Sequence, residues 1–218
     1  MMEFDTRPVS NREKVTFSCS KCGACCKNVR ESILLDPYDA FRLVRFMDHT
    51  ASSASAQAIL EQNAEPVSLS RGFNVFVLKT AGDNGACTFL HENRCSIYPV
   101  RTRACRLYPF AMDPDKGGIQ HFLLCLEQPH HFKNGRVTAR EWQRKNLTAE
   151  EKEFLLEETQ QLPALGALMR AIPDSRLPAA EVITVAMLYF AYDYDKAFLP
   201  QYRDNLQFLA ARLKSLTY

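Results

Sequence analysis

An α+β fold is expected from this sequence: a small cysteine-rich region with a β-hairpin and short helices, followed by a mainly helical C-terminal part. All eight cysteines fall before residue 126, β-rich runs alternate with turn residues among the later ones, and helical periodicity with capping signals takes over after about residue 135. With 218 residues, 46% of them hydrophobic, the chain can bury a sizeable core. These patterns divide it into a flexible N-terminal arm over 1–14, a cysteine-rich domain over 15–135 and a helical region over 136–218.

The elements follow in order. After the arm, "FSCSKCGACCKN" places Cys19, Cys22, Cys25 and Cys26 in a loop, with Gly23 free to take the positive φ such a knuckle needs. "ILLDPYDAFRLVRFM" reads as a short strand and then a helix, with Asp36 as N-cap, Pro37 in the first turn, and Ala40, Phe41, Val44 and Met47 as its apolar stripe. A weaker helix near Ser52 to Asn63 precedes the β-rich run Phe73 to Thr80. "CTFL" and "CSIY" read as a hairpin around "HEN". A three-residue connection, His91 to Asn93, would pair Phe89 with Cys95 and put Cys87 and Cys95 on one face. Pro99 can open a short helix toward Pro109, with Arg101 and Cys105 at i,i+4 on one side.

Beyond residue 135, Thr138 with Glu141 and Thr148 with Glu151 have capping-box spacing. Helical patterns follow over "AEEKEFLLEETQQ", "PALGALMRAI" and "PAAEVITVAMLYFAY". Val182 to Tyr192 is apolar nearly all round and reads as a buried helix, too short to cross a bilayer. Leu199, Tyr202, Leu206, Leu209 and Leu213 recur at steps of three and four. Packing on a neighbouring helix is the commoner use of such a stripe, and a homo-oligomer seam over 199–213 is the alternative.

Bulk charge excludes some partners. Lys and Arg number 27 against 25 Asp and Glu, a net charge of +2, so no nucleic acid is expected. The start, "MMEFDTRPVSNREKVTF", is charged where a signal peptide is apolar, and no apolar run approaches the roughly 20 residues that span a membrane. A cytoplasmic protein without membrane partners is the expectation.

A reducing compartment decides how the cysteines read, because clustered thiols there serve metal or redox chemistry more often than disulfides. Cys19, Cys22, Cys25 and Cys26 form C-x2-C-x2-C-C; Cys87, Cys95, Cys105 and Cys125 are spread downstream. All eight are candidate metal ligands. The first three repeat the opening of the bacterial ferredoxin run, but position 29 is Val, so a fourth ligand must come from a distance. An iron-sulfur cluster is favoured and zinc is the alternative, since zinc equally accepts four thiolates. In extended backbone Cys25 and Cys26 would point to opposite sides, so each is expected to serve a different partner. Four thiolates leave either centre at net −2, and Lys21, Lys27, Arg94, Arg101, Arg103 and Arg106 stand near cysteines in sequence, Arg101 or Arg106 being the best-placed compensators. His91 and His121 are auxiliary donors by proximity, though surface or packing roles are commoner for lone histidines.

With those residues in view, "FSCSKCGACC", "CTFLHENRCSIYPVRTRACRLYPF" and the later "LLC" together resemble the YkgJ-like family, also called the CxxCxxCC zinc- or iron-chelating domain. The resemblance covers roughly residues 15 to 130 and implies metal chelation by these cysteines, commonly as an iron-sulfur cluster. One branch is similar to the flagellin lysine N-methylases. Thr102 departs from the pattern, which has Pro after the arginine matched by Arg101. Three functions are therefore open: an iron-sulfur protein, a structural zinc module presenting its helices to a protein partner, and an enzyme of the methylase kind. No nucleotide loop, H-E-x-x-H or radical-SAM cysteine spacing is present, and no general acid or base is identified.

Overall fold

In the computed structural model, which describes residues 4–30, 32–112 and 121–218, the fold is α+β. The elements run β1 (Thr6–Ser10), β2 (Leu34–Leu35), α1 (Pro37–Met47), α2 (Ser53–Asn63), β3 (Ala64–Ser70), β4 (Phe73–Leu78), β5 (Thr80–Ala81) and β6 (Ala86–Cys87). They continue as β7 (Leu90–His91), β8 (Arg94–Cys95), α3 (Arg103–Leu107), β9 (Phe110–Met112), β10 (His121–Cys125), α4 (Ala139–Asn146), α5 (Ala149–Ala171), α6 (Leu177–Val185) and α7 (Phe198–Leu216). Among the described residues no helix is long and apolar enough to cross a membrane.

The chain forms two compact units that are not sequential. The first joins residues up to 33 with 78–148; the second joins 34–77 with 149–218. The C-terminal helices thus share their core with α1 and the strands around it instead of closing on themselves. Apolar periodicity marks which face of a helix is buried and says nothing of which segment covers it.

In the first unit, β1, β10 and β9 form an antiparallel sheet in that order, with Thr6 opposite Cys125 and Phe122 opposite Met112. The stretch read as an arm therefore contributes an edge strand; residues 1–3 lie outside the described residues. Only Val9 of β1 is buried, and Pro8 suits an edge because no ladder hydrogen bond is asked of it, so five mostly polar residues carry almost no strand signal of their own. Val9, Val15, Phe17, Phe110, Phe122, Leu124 and Ala139 make the core of this unit. Phe17 lies edge-on to Tyr108, His131 and Trp142, at centroid distances of 6.0, 6.1 and 5.4 Å. That fixes the chain two residues ahead of Cys19. α4 begins with the expected capping box: Thr138 Oγ1 accepts from the Glu141 amide, and the Glu141 carboxylate accepts from the Thr138 amide.

In the second unit, Asp36 caps α1 by accepting from the Asp39 amide at 2.7 Å, with Pro37 in the first turn, as the sequence predicts. Ala40, Phe41, Leu43 and Val44 are buried, while Met47 at the end of the stripe is exposed. Ser52 caps α2. α5 runs unbroken for 23 residues through Pro163, merging two patterns that read as separate helices. The expected buried helix over 182–192 is a shorter α6 followed by a π-helical turn, Ala186–Phe190; Val182 is 69% exposed, whereas Leu188, Tyr189 and Tyr192 are buried. An apolar composition all round does not require burial all round. The stripe of Leu199, Tyr202, Leu206, Leu209 and Leu213, read as a candidate seam between copies, is buried inside this unit, where α7 packs on α5 and the π-turn. Around it lies an aromatic cluster. Phe41 stacks on Tyr194 at 5.1 Å and Phe198 on Tyr202 at 5.2 Å, with Phe154 edge-on to both Phe198 and Tyr202.

Candidate metal centre

The knuckle is built by backbone that only certain residues tolerate. Gly23 has φ +73°, and the Cβ of any other residue there would lie 2.7 Å from the Asn93 carbonyl oxygen. So the knuckle presses against the β7–β8 turn, and sulfurs 60 to 80 residues apart in sequence meet. After Gly23, Ala24–Cys26 form a 3-10 turn. Successive side chains in such a turn are rotated by about 120° and not by 180°, so Cys25 and Cys26 hydrogen-bond to one another and line one cavity. The extended backbone expected for the pair, and with it the separation onto different sides, is not what forms.

The hairpin also differs by one residue from expectation. Glu92 and Asn93 both have positive φ, 48° and 60°, making a two-residue turn of the type that matches strand twist. His91 then pairs with Arg94 and Leu90 with Cys95. Cys87 belongs to a different pair, β5–β6, opposite Thr80. Both cysteines still line the cavity. In the following segment a 3-10 turn, Tyr98–Val100, precedes α3, and Thr102 is the N-cap, its Oγ1 accepting from the Cys105 amide at 3.3 Å. Arg101 therefore precedes the helix and does not share a helical face with Cys105. Thr102 thus supplies a side-chain cap that holds the backbone of a candidate ligand.

The cavity has a volume of about 560 Å³ and is lined by Cys19, Cys22, Cys25, Cys26, Cys87, Cys95 and Cys105, with apolar Val29, Ile33, Leu78 and Ile97 between them. All eight cysteines are free thiols. Cys125, at the end of β10, is outside this lining; its amide donates to the Pro109 carbonyl and its thiol lies near Asp5 and Glu127. Among the described residues, the sole group of three Cys, His, Asp or Glu donors lying within 4.8 Å of one another is Cys22, His130 and His131. Cys22 Sγ is 3.3 Å from His130 Nε2 and 3.2 Å from His131 Nε2. His91 and His121, the histidines singled out by proximity in sequence, are exposed and absent from the cavity wall. The signal for the other two was the adjacent pair in "QPHHF", five residues after the last cysteine.

The electrostatics divide the sulfurs. Hydrogen bonding to His130, helped by Ser20, lowers the Cys22 thiol to about 6. The hydrogen bond from Cys26 lowers Cys25 to about 7, with the Arg101 charge acting in the same direction. Cys26, as the partner that keeps its proton, is raised. Burial pushes Cys105 up to about 12 and also raises Cys87, Cys95 and Cys125. Desolvated thiols of this kind ionise when a metal cation supplies the opposite charge. Arg101 faces them: it lines the cavity, its guanidinium lies 3.9 Å over the Tyr98 ring, and its Nε is buried without a hydrogen-bond partner. Arg94 and Lys21 also line the wall. Arg106, by contrast, is engaged with the carbonyls of Arg101 and Asn146 and has a structural role.

Thiols that need a cation to ionise, beside a half-buried arginine whose Nε has no hydrogen-bond partner, fit a thiolate-ligated metal centre. No curated protein and no solved structure matches the chain significantly. The family model CxxCxxCC, described as a putative zinc- or iron-chelating domain, matches residues 18–155, more than half of the chain, and the protein belongs to that family.

Proposed function

We propose that the protein binds an iron-sulfur cluster in the cysteine-lined cavity, through thiolates drawn from both the knuckle and the Cys87–Cys105 segment. One observation carries this reading. A single tetrahedral zinc, with Zn–S about 2.3 Å, holds its four sulfurs about 3.8 Å apart. The sulfurs here surround a space of about 560 Å³, and no three of them lie within 4.8 Å of one another among the described residues. A wall that wide suits a multinuclear core. Cys25, Cys26, Cys87, Cys95 and Cys105 line the cavity and are the donors assigned to the cluster, with Arg101 offsetting part of the net −2 that four thiolates leave. When bound, the cluster would supply one-electron chemistry and a cross-link between distant segments.

Anaerobic purification followed by iron, acid-labile sulfide and visible absorption measurements is the test. Iron and sulfide in comparable amounts, both lost in Cys25→Ser and Cys105→Ser, are the expected result. Zinc in the cavity without sulfide would sink the proposal in favour of a structural zinc module. Among the described residues the cavity wall carries no carboxylate, so nothing there favours a methylase-like activity.

A further inference from the structure

We propose that Cys22, His130 and His131 form a second, mononuclear site for a zinc-class divalent ion at the rim of the cavity, with one coordination position left to water. The inference stands on its own geometry and does not depend on what fills the cavity, for which six cysteines remain along the wall when Cys22 is assigned here.

The distances fit one ion. With Zn–S about 2.3 Å and Zn–N about 2.0–2.1 Å, a tetrahedral centre keeps a sulfur and a nitrogen about 3.5 Å apart. The two sulfur-to-nitrogen separations here are 3.3 and 3.2 Å, and all three donor atoms lie within 4.8 Å of each other. A shift of a few tenths of an ångström therefore makes room for the ion. A mixed thiolate and imidazole donor set is the one zinc favours over harder cations.

The surroundings orient the donors. His131 is 3% exposed, and its Nδ1 is 3.2 Å from the Tyr108 hydroxyl. When Nδ1–H donates to that oxygen, Nε2 is the atom with the free lone pair, and Nε2 is the atom that faces Cys22. The Ser18 amide donates to the His131 carbonyl at 3.1 Å, so the histidine segment is fastened to the knuckle by backbone as well. Phe17 and Tyr108 pack edge-on to the His131 ring. His130, its ring centroid 4.2 Å from that of His131 and tilted 57° to it, is exposed, which places the remaining coordination position on the solvent side. Cys19 lies outside the mutually close group, leaving that position to water. Three protein ligands with an open fourth are the pattern of a reactive zinc site, in contrast to a closed structural one.

Cobalt(II) reports such a site directly, because tetrahedral cobalt with a thiolate ligand gives intense visible and charge-transfer bands. Full-length protein is titrated with cobalt under anaerobic conditions, and iron and acid-labile sulfide are measured on the same samples. The wild type is expected to bind one cobalt with tetrahedral bands, displaced by zinc. His130→Ala, an exposed substitution that leaves the core intact, should lose this cobalt while iron and sulfide stay unchanged. Tyr108→Phe removes only the orienting contact and should weaken binding about tenfold. Cobalt bands that persist in His130→Ala would overturn the proposal. So would a parallel loss of iron and sulfide in that variant, which would assign the histidines to the cavity's own centre, and so would a wild type that binds no cobalt, which would reduce the trio to a hydrogen-bonded thiolate.

Discussion

The two units solve the problem of a stable interior in opposite ways. In the unit of residues 34–77 and 149–218, Tyr189, Tyr202, Phe154 and Phe198 are all but fully buried, the last three touching ring to ring and Tyr189 meeting Phe76, so apolar burial and aromatic contact hold it together. In the other unit an apolar core under the three-stranded sheet stands beside a cavity walled by thiols, several of which burial keeps protonated. The first interior is complete as folded. The second has a part whose segments are short, such as the two-residue strands β5 to β8, which a metal cross-link would hold in register. The proposed metal centre would make one half of the chain dependent on metal supply and leave the other half indifferent to it.

The sharpest way to break that contrast is to take the metal away. Chelation, or Cys105→Ser, should expose the amides of residues 86–95 and of the knuckle to hydrogen exchange, while α5 and α7 stay protected. Equal loss of protection in both units would abolish the distinction. Next in size, Phe198→Ala should cost about 3–5 kcal/mol of stability in denaturant unfolding without altering metal content. Tyr202 sharpens this further: its hydroxyl is buried without a hydrogen-bond partner, so Tyr202→Phe should be neutral or stabilising where Tyr202→Ala is severely destabilising.

Smaller effects test the joint between knuckle and hairpin. Gly23→Ala places a side chain at φ +73° against the Asn93 carbonyl, at a cost of about 1–2 kcal/mol from the backbone alone. It should lower metal retention along with stability. Smallest is Thr138→Ala, expected to cost about 1 kcal/mol through loss of the α4 cap. Hydrogen bonds from Thr138 hold the Glu141 carboxyl below its usual range. The stability from this pair is therefore present above the ordinary carboxylate pKa and fades as pH falls through the lowered one; unfolding of the Thr138→Ala variant should show less of that acid dependence.

What could be read in the sequence is what local chemistry encodes. Asp36-Pro37, Ser52 and the Thr138–Glu141 box announce helix starts because the capping partner lies within three residues. The C-x2-C-x2-C-C run and Gly23 likewise carry their meaning in a few positions. Two features depended on information the local pattern lacks. The hairpin register turned on whether Glu92 and Asn93 both adopt positive φ, which neither residue type demands, and β1 became a strand only because β10 offers it an edge. His130 and His131 reach Cys22 across more than a hundred residues, a proximity set by Phe17, Tyr108 and the Ser18 amide.

The order of synthesis adds a consequence of the interleaved units. Every cysteine, and both histidines near Cys22, precede residue 132, whereas α5 to α7, which complete the other interior, begin at Ala149. On the ribosome the sulfur-rich unit has all of its donors while α1 and β4, already made, still present Phe41, Val44 and Phe76 without the helices that will cover them. A nascent chain of this kind holds its full set of metal donors before the second apolar interior can close, and the apolar surface left open in that interval favours aggregation.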